Sequence, residues 1–223
     1  MADTKPIIKK HDSKSSLIAA ITEELCIDIA ESILQHGECR LLLSGGSTPG
    51  PIYHELNQQG ELLNSIKLGL VDERFVPSAS KFSNEKLLRD SFDSLDEDQI
   101  VGMVYDLENS QANLQEIELN YAPFVERNDL MILGMGTDGH TASIFPDDPL
   151  SDEARTDDKN FAATQAPSHP KSRITCTLKM IESAQKIFLV ITGEDKWKVL
   201  MENENLPIHE VLKRRPDLII YYA

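Results

Sequence analysis

Between residues 15 and 37 the apolar side chains Leu17, Ile18, Ile21, Leu25, Ile29, Ile33 and Leu34 recur every three or four positions, the period of a helix with one buried face. Serines ahead of them offer N-caps and Gly37 offers a stop, so the pattern predicts one long amphipathic helix. The pattern then changes. Short, nearly continuous apolar runs occupy residues 39–43, 66–71, 130–133, 161–164, 174–178, 187–191 and 218–222. Helical spacing returns between several of them, at 49–59, 84–91, 110–127 and 194–203. Strands apolar on both faces, alternating with helices, predict an α/β fold: a mostly parallel, Rossmann-like sheet with helices on both faces. A chain of 223 residues, 40% of hydrophobic type, fills one core, so residues 1–223 are expected to form a single α/β domain.

Ligands of such sheets bind beyond the carboxyl ends of the strands. Three polar stretches fall there: SGGSTPG at 44–50, VDERFVP at 71–77 and GMGTDGH at 134–140. In the first, Gly45 and Gly46 let backbone N–H groups converge, Ser47 and Thr48 add hydroxyls, and Pro49 can open a helix whose N-terminus favours an anion. A P-loop is excluded, because Pro51 and Ile52 stand where it needs Lys and Ser/Thr. An ordinary strand-to-helix turn is the alternative. In the second stretch Asp72, Glu73 and Arg74 form either a self-satisfied ion pair at a strand end or a substrate contact, with Arg74 the candidate for an anionic or carbonyl oxygen. Ser83 reads as a helix N-cap.

The third stretch carries glycines at the GxGxxG spacing, Gly134, Gly136 and Gly139. A dinucleotide site needs that turn to open a helix, but Pro146 and the acidic run DDPLSDE arrive too soon. What remains is an imidazole, His140, on a tight turn with Asp138 two residues before it. A neighbouring carboxylate favours the imidazolium formed when a histidine takes a proton, which suits a general base. A surface loop histidine is the alternative.

Charge narrows the partners. A net charge of −15 opposes nucleic acid and anionic membrane, so an anionic small ligand needs a local basic pocket. Cys26, Cys39 and Cys176 make neither a disulfide framework nor a metal motif, and read as reduced cysteines. The N-terminal MADTKPIIKKHD lacks the apolar core of a signal peptide, and no run is long enough to span a bilayer, so a soluble cytoplasmic protein is expected.

Together SGGSTPGPIYHEL, VDERFVP, SNEKLLRDSF and LGMGTDGHTASIFP, in that order along the chain, resemble the 6-phosphogluconolactonase family, which is related in fold to the glucosamine-6-phosphate deaminases. What the resemblance implies is a hydrolase of the pentose phosphate pathway that opens 6-phospho-D-glucono-1,5-lactone to 6-phosphogluconate, with no metal or organic cofactor. It makes His140 the base acting on water and Asp138 its support. It assigns the phosphate to the GGST turn (Gly45, Gly46, Ser47, Thr48), to Arg173 and to Lys196. Its partner is a small phosphorylated sugar lactone, and the expected assembly is a monomer or small homo-oligomer. Two departures stand out. The family lysine ahead of the arginine is missing from PSHPKSR, leaving Lys171 or His169 in its place, and Phe145 stands where the deaminases resembling DGHIAFNEP carry a glutamate. An apolar ring cannot shuttle a proton; Phe145 is expected to pack beneath the catalytic turn instead. A sugar-phosphate deaminase or isomerase and a non-catalytic sugar-phosphate sensor are the rival functions.

Overall fold

The computed structural model describes residues 5–156 and 158–223. The chain enters through β1 (Ile7–Lys10) and then forms the long helix α1 (Lys14–His36). Ser13 accepts from the Ser16 N–H in a capping box, and Gly37 closes the helix in the left-handed conformation while donating to the Ile33 carbonyl. There follow β2 (Cys39–Leu43), α2 (Gly50–Leu56) running into a 3-10 segment at Asn57–Ser65, β3 (Ile66–Leu70), β4 (Asp72–Arg74), α3 (Asn84–Ser91) and β5 (Ile100–Val101). The middle of the chain gives α4 (Ser110–Asn120), α5 (Ala122–Glu126), β6 (Leu130–Leu133), α6 (Ser151–Arg155), β7 (Phe161–Gln165) and β8 (Ser172–Cys176). It ends with α7 (Leu178–Glu182), β9 (Lys186–Ile191), α8 (Glu194–Glu202), α9 (Pro207–Arg214) and β10 (Ile219–Tyr222).

Seven strands form one parallel sheet in the order β1-β10-β9-β6-β2-β3-β5. Every residue of β6 is buried, and β2, β3 and β9 are nearly so, because both faces of the central strands are covered. The α/β expectation therefore holds. A second sheet, β4-β8-β7, is antiparallel and was not expected. Its first strand is Asp-Glu-Arg, a sequence with no strand propensity of its own; it becomes extended because β8, a hundred residues on, pairs with it.

Other differences have local causes. The predicted helix over 110–127 breaks after Asn120, and Pro123 falls in the first turn of the new helix, where its missing N–H costs nothing. The run at 174–178 stops as strand at Cys176, since Thr177 caps α7 by accepting from the Met180 N–H. Strands β1 and β5 and helix α9 lie where no element was expected. Among the described residues no helix is long and apolar enough to cross a membrane, the three cysteines are free, and no cluster of His, Cys, Asp or Glu is placed to hold a metal.

Candidate active site

A parallel sheet delivers the carboxyl ends of its strands to one edge, and the segments following β2, β3, β6 and β9 meet there around a cleft of about 250 Å³. Gly45, Gly46, Ser47 and Thr48 line it from the turn after β2, Asp72 and Arg74 from β4, His140 from the loop after β6, Arg173 from β8 and Lys196 from α8. Every catalytic or substrate-binding residue expected from the sequence lines this cleft except Asp138, which stands behind His140 and faces an adjoining hollow.

The turn after β6 is built to present the imidazole. The Gly136 N–H donates to the His140 carbonyl at 2.9 Å, closing the loop on itself. A Cβ on Gly136 would come within 2.2 Å of the His140 ring, so only glycine leaves room for it. Asp138 Oδ1 lies 2.5 Å from His140 Nδ1 and also accepts the His140 backbone N–H at 3.2 Å. Burial alone would raise the Asp138 carboxyl, but its bond to the imidazole and the charge of that ring outweigh this and hold it below the usual aspartate range. With Asp138 accepting from Nδ1–H, the lone pair falls on Nε2. Beneath the turn Phe145 is buried and packs its ring against His140, with centroids 4.8 Å apart, as the sequence led us to expect.

The same cleft is basic. Antiparallel pairing of β4 with β8 sets Arg74 directly across from Arg173. Among the described residues neither arginine, nor Lys196, has a carboxylate within ion-pairing distance. Arg173 donates from Nε to the Pro170 carbonyl and lies over the Phe145 ring. Burial lowers its pKa, the nearby Asp72 carboxylate works against that, and Arg74 adds to the lowering. Burial lowers Lys196 as well. Three unpaired cations on one cleft of a chain with net charge −15 form the local basic pocket that an anionic ligand requires. Buried at the same place, Ser44 Oγ and Arg74 Nε lack any hydrogen-bond partner among the described residues.

Several residues stand otherwise than expected. Glu73 does not pair with Arg74: its carboxylate is buried and accepts the Ser83 hydroxyl and the N–H groups of Asn84 and Glu85 at 2.8 Å each, tying the start of α3 to β4. Ser83 does cap α3, as predicted. Lys171 lines the adjoining hollow and His169 sits edge-on to Phe82, so neither borders the cleft in place of the missing family lysine. Asn84 and Ser44 do border it, and neither was singled out from the sequence as a site residue. Asn84 fills the space beside Gly45, where a Cβ would lie 1.8 Å from its Oδ1, and donates to the Asp72 carbonyl at 2.8 Å. Only its position in SNEKLLRDSF gave any signal.

Comparison with known proteins adds to this geometry. Residues 12–220 match the family model of glucosamine-6-phosphate isomerases/6-phosphogluconolactonase. A 6-phosphogluconolactonase of Rhizobium meliloti is 31% identical, over 95% of this chain and 96% of its own. One of Caulobacter vibrioides is 30% identical over 93% and 92%. The crystal structure of a 6-phosphogluconolactonase from Shewanella baltica superposes with a TM-score of 0.90 at 26% identity, covering 99% of both chains.

Proposed function

The chain belongs to the glucosamine-6-phosphate isomerase/6-phosphogluconolactonase family, and from that premise we propose that it is the lactone hydrolase of the pair, a cytoplasmic enzyme that opens 6-phospho-D-glucono-1,5-lactone to 6-phosphogluconate in the pentose phosphate pathway. The observation that carries the reading is the meeting, in one cleft, of an Asp138-bound imidazole with three cations that have no ion-pair partner among the described residues.

Lactone hydrolysis needs a fixed substrate, a deprotonated water and donors for the oxyanion. Arg173, Lys196 and the Ser47 and Thr48 hydroxyls grip the phosphate, far from the reacting carbon, so that binding energy there orients the ester. His140 Nε2 takes a proton from water as its oxygen bonds to the carbonyl carbon. The negative charge that forms on the carbonyl oxygen is met by backbone N–H groups near Gly45 and Gly46 or of the DGH turn, or by Arg74. Collapse of the tetrahedral species breaks the bond to the ring oxygen, which recovers the proton from the imidazolium; the open-chain acid then ionises. Asp138 holds the ring and favours its charged form throughout. This chemistry calls for no metal and no organic cofactor.

Phe145 counts against the isomerase reading, since no carboxylate stands beside His140 at that position to serve ring opening. Assays of the purified protein on 6-phosphogluconolactone, corrected for spontaneous hydrolysis, and on glucosamine 6-phosphate separate the two. Lactone opening with no ammonia release is expected; ammonia and fructose 6-phosphate without lactonase activity would overturn the proposal.

A further inference from the structure

Ser143, three residues beyond His140, is fully buried and its polar groups engage all three strands of the small antiparallel sheet. Its hydroxyl donates to Asp72 Oδ2 at 2.6 Å on β4, its N–H donates to Thr175 Oγ1 at 3.1 Å on β8, and its carbonyl accepts from Thr164 Oγ1 at 2.7 Å on β7. The bond to Asp72 joins the catalytic turn to a carboxylate that borders the cleft. With Oδ2 taken, the one bond to Asp72 Oδ1 among the described residues is a long one, 3.5 Å from Asn84 Nδ2, whose shorter bond, 2.8 Å, goes to the Asp72 carbonyl. That oxygen keeps the capacity to accept a strong hydrogen bond.

Arg74 and Arg173, two guanidiniums without ion-pair partners among the described residues, line the same cleft, and a carboxylate free to rotate beside them would pair with them. Such pairing would remove Asp72 from the sugar and Arg173 from the phosphate at once. We propose that Ser143 is a positioning residue that holds Asp72 clear of the arginines, with Oδ1 presented to accept a hydroxyl of the lactone's sugar ring. This rests on the lactonase reading above, and it assigns a residue outside the cleft a part in recognising a polyol.

The test is a double-mutant cycle on kcat/KM for 6-phosphogluconolactone, with thermal stability measured alongside. Ser143→Ala and Asp72→Asn are each expected to lower kcat/KM roughly tenfold or more, the scale for a lost hydrogen bond to a charged group. The double variant is expected to be no worse than Asp72→Asn alone. Thr164→Val, which removes the side-chain bond to the Ser143 carbonyl without touching Asp72, should cost similar stability yet combine with Asp72→Asn multiplicatively. Independent, multiplying losses for Ser143→Ala and Asp72→Asn, or coupling of Thr164→Val to Asp72→Asn, would overturn the proposal. If Ser143→Ala does not fold, Ser143→Cys, close in volume with a weaker donor, carries the same expectations. A wild-type protein with no lactonase activity would refute the function instead, and the coupling would then be read in affinity for 6-phosphogluconate.

Discussion

At the scale of single residues, Arg173 shows how much of the site is electrostatic. It faces Arg74 across β4 and β8 with no ion-pair partner among the described residues, and burial already works against its charge. A phosphate would supply the missing counter-charge, so Arg173→Met, which keeps bulk and loses charge, should raise KM for the phosphorylated lactone by about tenfold or more. Turnover of unphosphorylated gluconolactone should change little; equal loss on both substrates would mean that Arg173 supports the fold or the oxyanion. Gly45 to Thr48, Asp72, Arg74, Asp138 and His140 were legible in short motifs whose spacing is local, whereas Arg173 and Lys196 were marked only by the family resemblance. Asn84 and Ser143 were not legible as site residues, because what defines them is a neighbour dozens of positions away: Gly45 for Asn84 and Asp72 for Ser143.

At the scale of elements, the central strands were legible because burial on both faces demands an unbroken aliphatic run, and α1 because its apolar stripe and both caps lie in the sequence. The small sheet was legible only in part: the apolar runs at 161–164 and 174–178 marked β7 and β8, but β4 is polar and extended only through its pairing with β8. Helix α9 did carry a signal, Pro207 in its first turn with Ile208, Val211 and Leu212 behind it. The turn after β2 gives the prediction that belongs to this scale. It lies against Asn84, near the N-terminus of α3, with no space at Gly45 for a methyl group, so Gly45→Ala must displace either the turn or the Asn84 side chain. Overpacking of this kind costs about 1–3 kcal/mol. We expect a melting temperature lower by several degrees, and a KM for the phosphorylated lactone raised several-fold. A crystal structure or titration showing unchanged phosphate affinity would contradict the role given to this turn.

For the whole molecule, stability in acid depends on a cluster remote from the cleft. Glu24 of α1 bonds to Lys9 of β1, Tyr221 of β10 and Lys186 of β9, and so ties the helix to three strands of the main sheet. Burial alone would raise its carboxyl, but the bonds to Lys9, Tyr221 and Lys186 bring it down from 4.5 to about 2. A depressed carboxyl contributes stability that is complete above its unfolded pKa and vanishes as pH falls through the folded one. The stability difference between the wild type and Glu24→Gln, followed by denaturant unfolding, should therefore hold constant above about pH 5 and close between about 4.5 and 2. A difference independent of pH would show that packing, not charge, accounts for it. The central claim concerns catalysis, and one comparison tests it most directly: the maximal rate of 6-phosphogluconolactone hydrolysis, corrected for spontaneous opening, by the wild type and by His140→Asn. We predict a rate lower by ~10²-fold or more with the fold and 6-phosphogluconate binding retained, the scale for loss of a general base; near wild-type turnover in the variant would remove His140 from the mechanism.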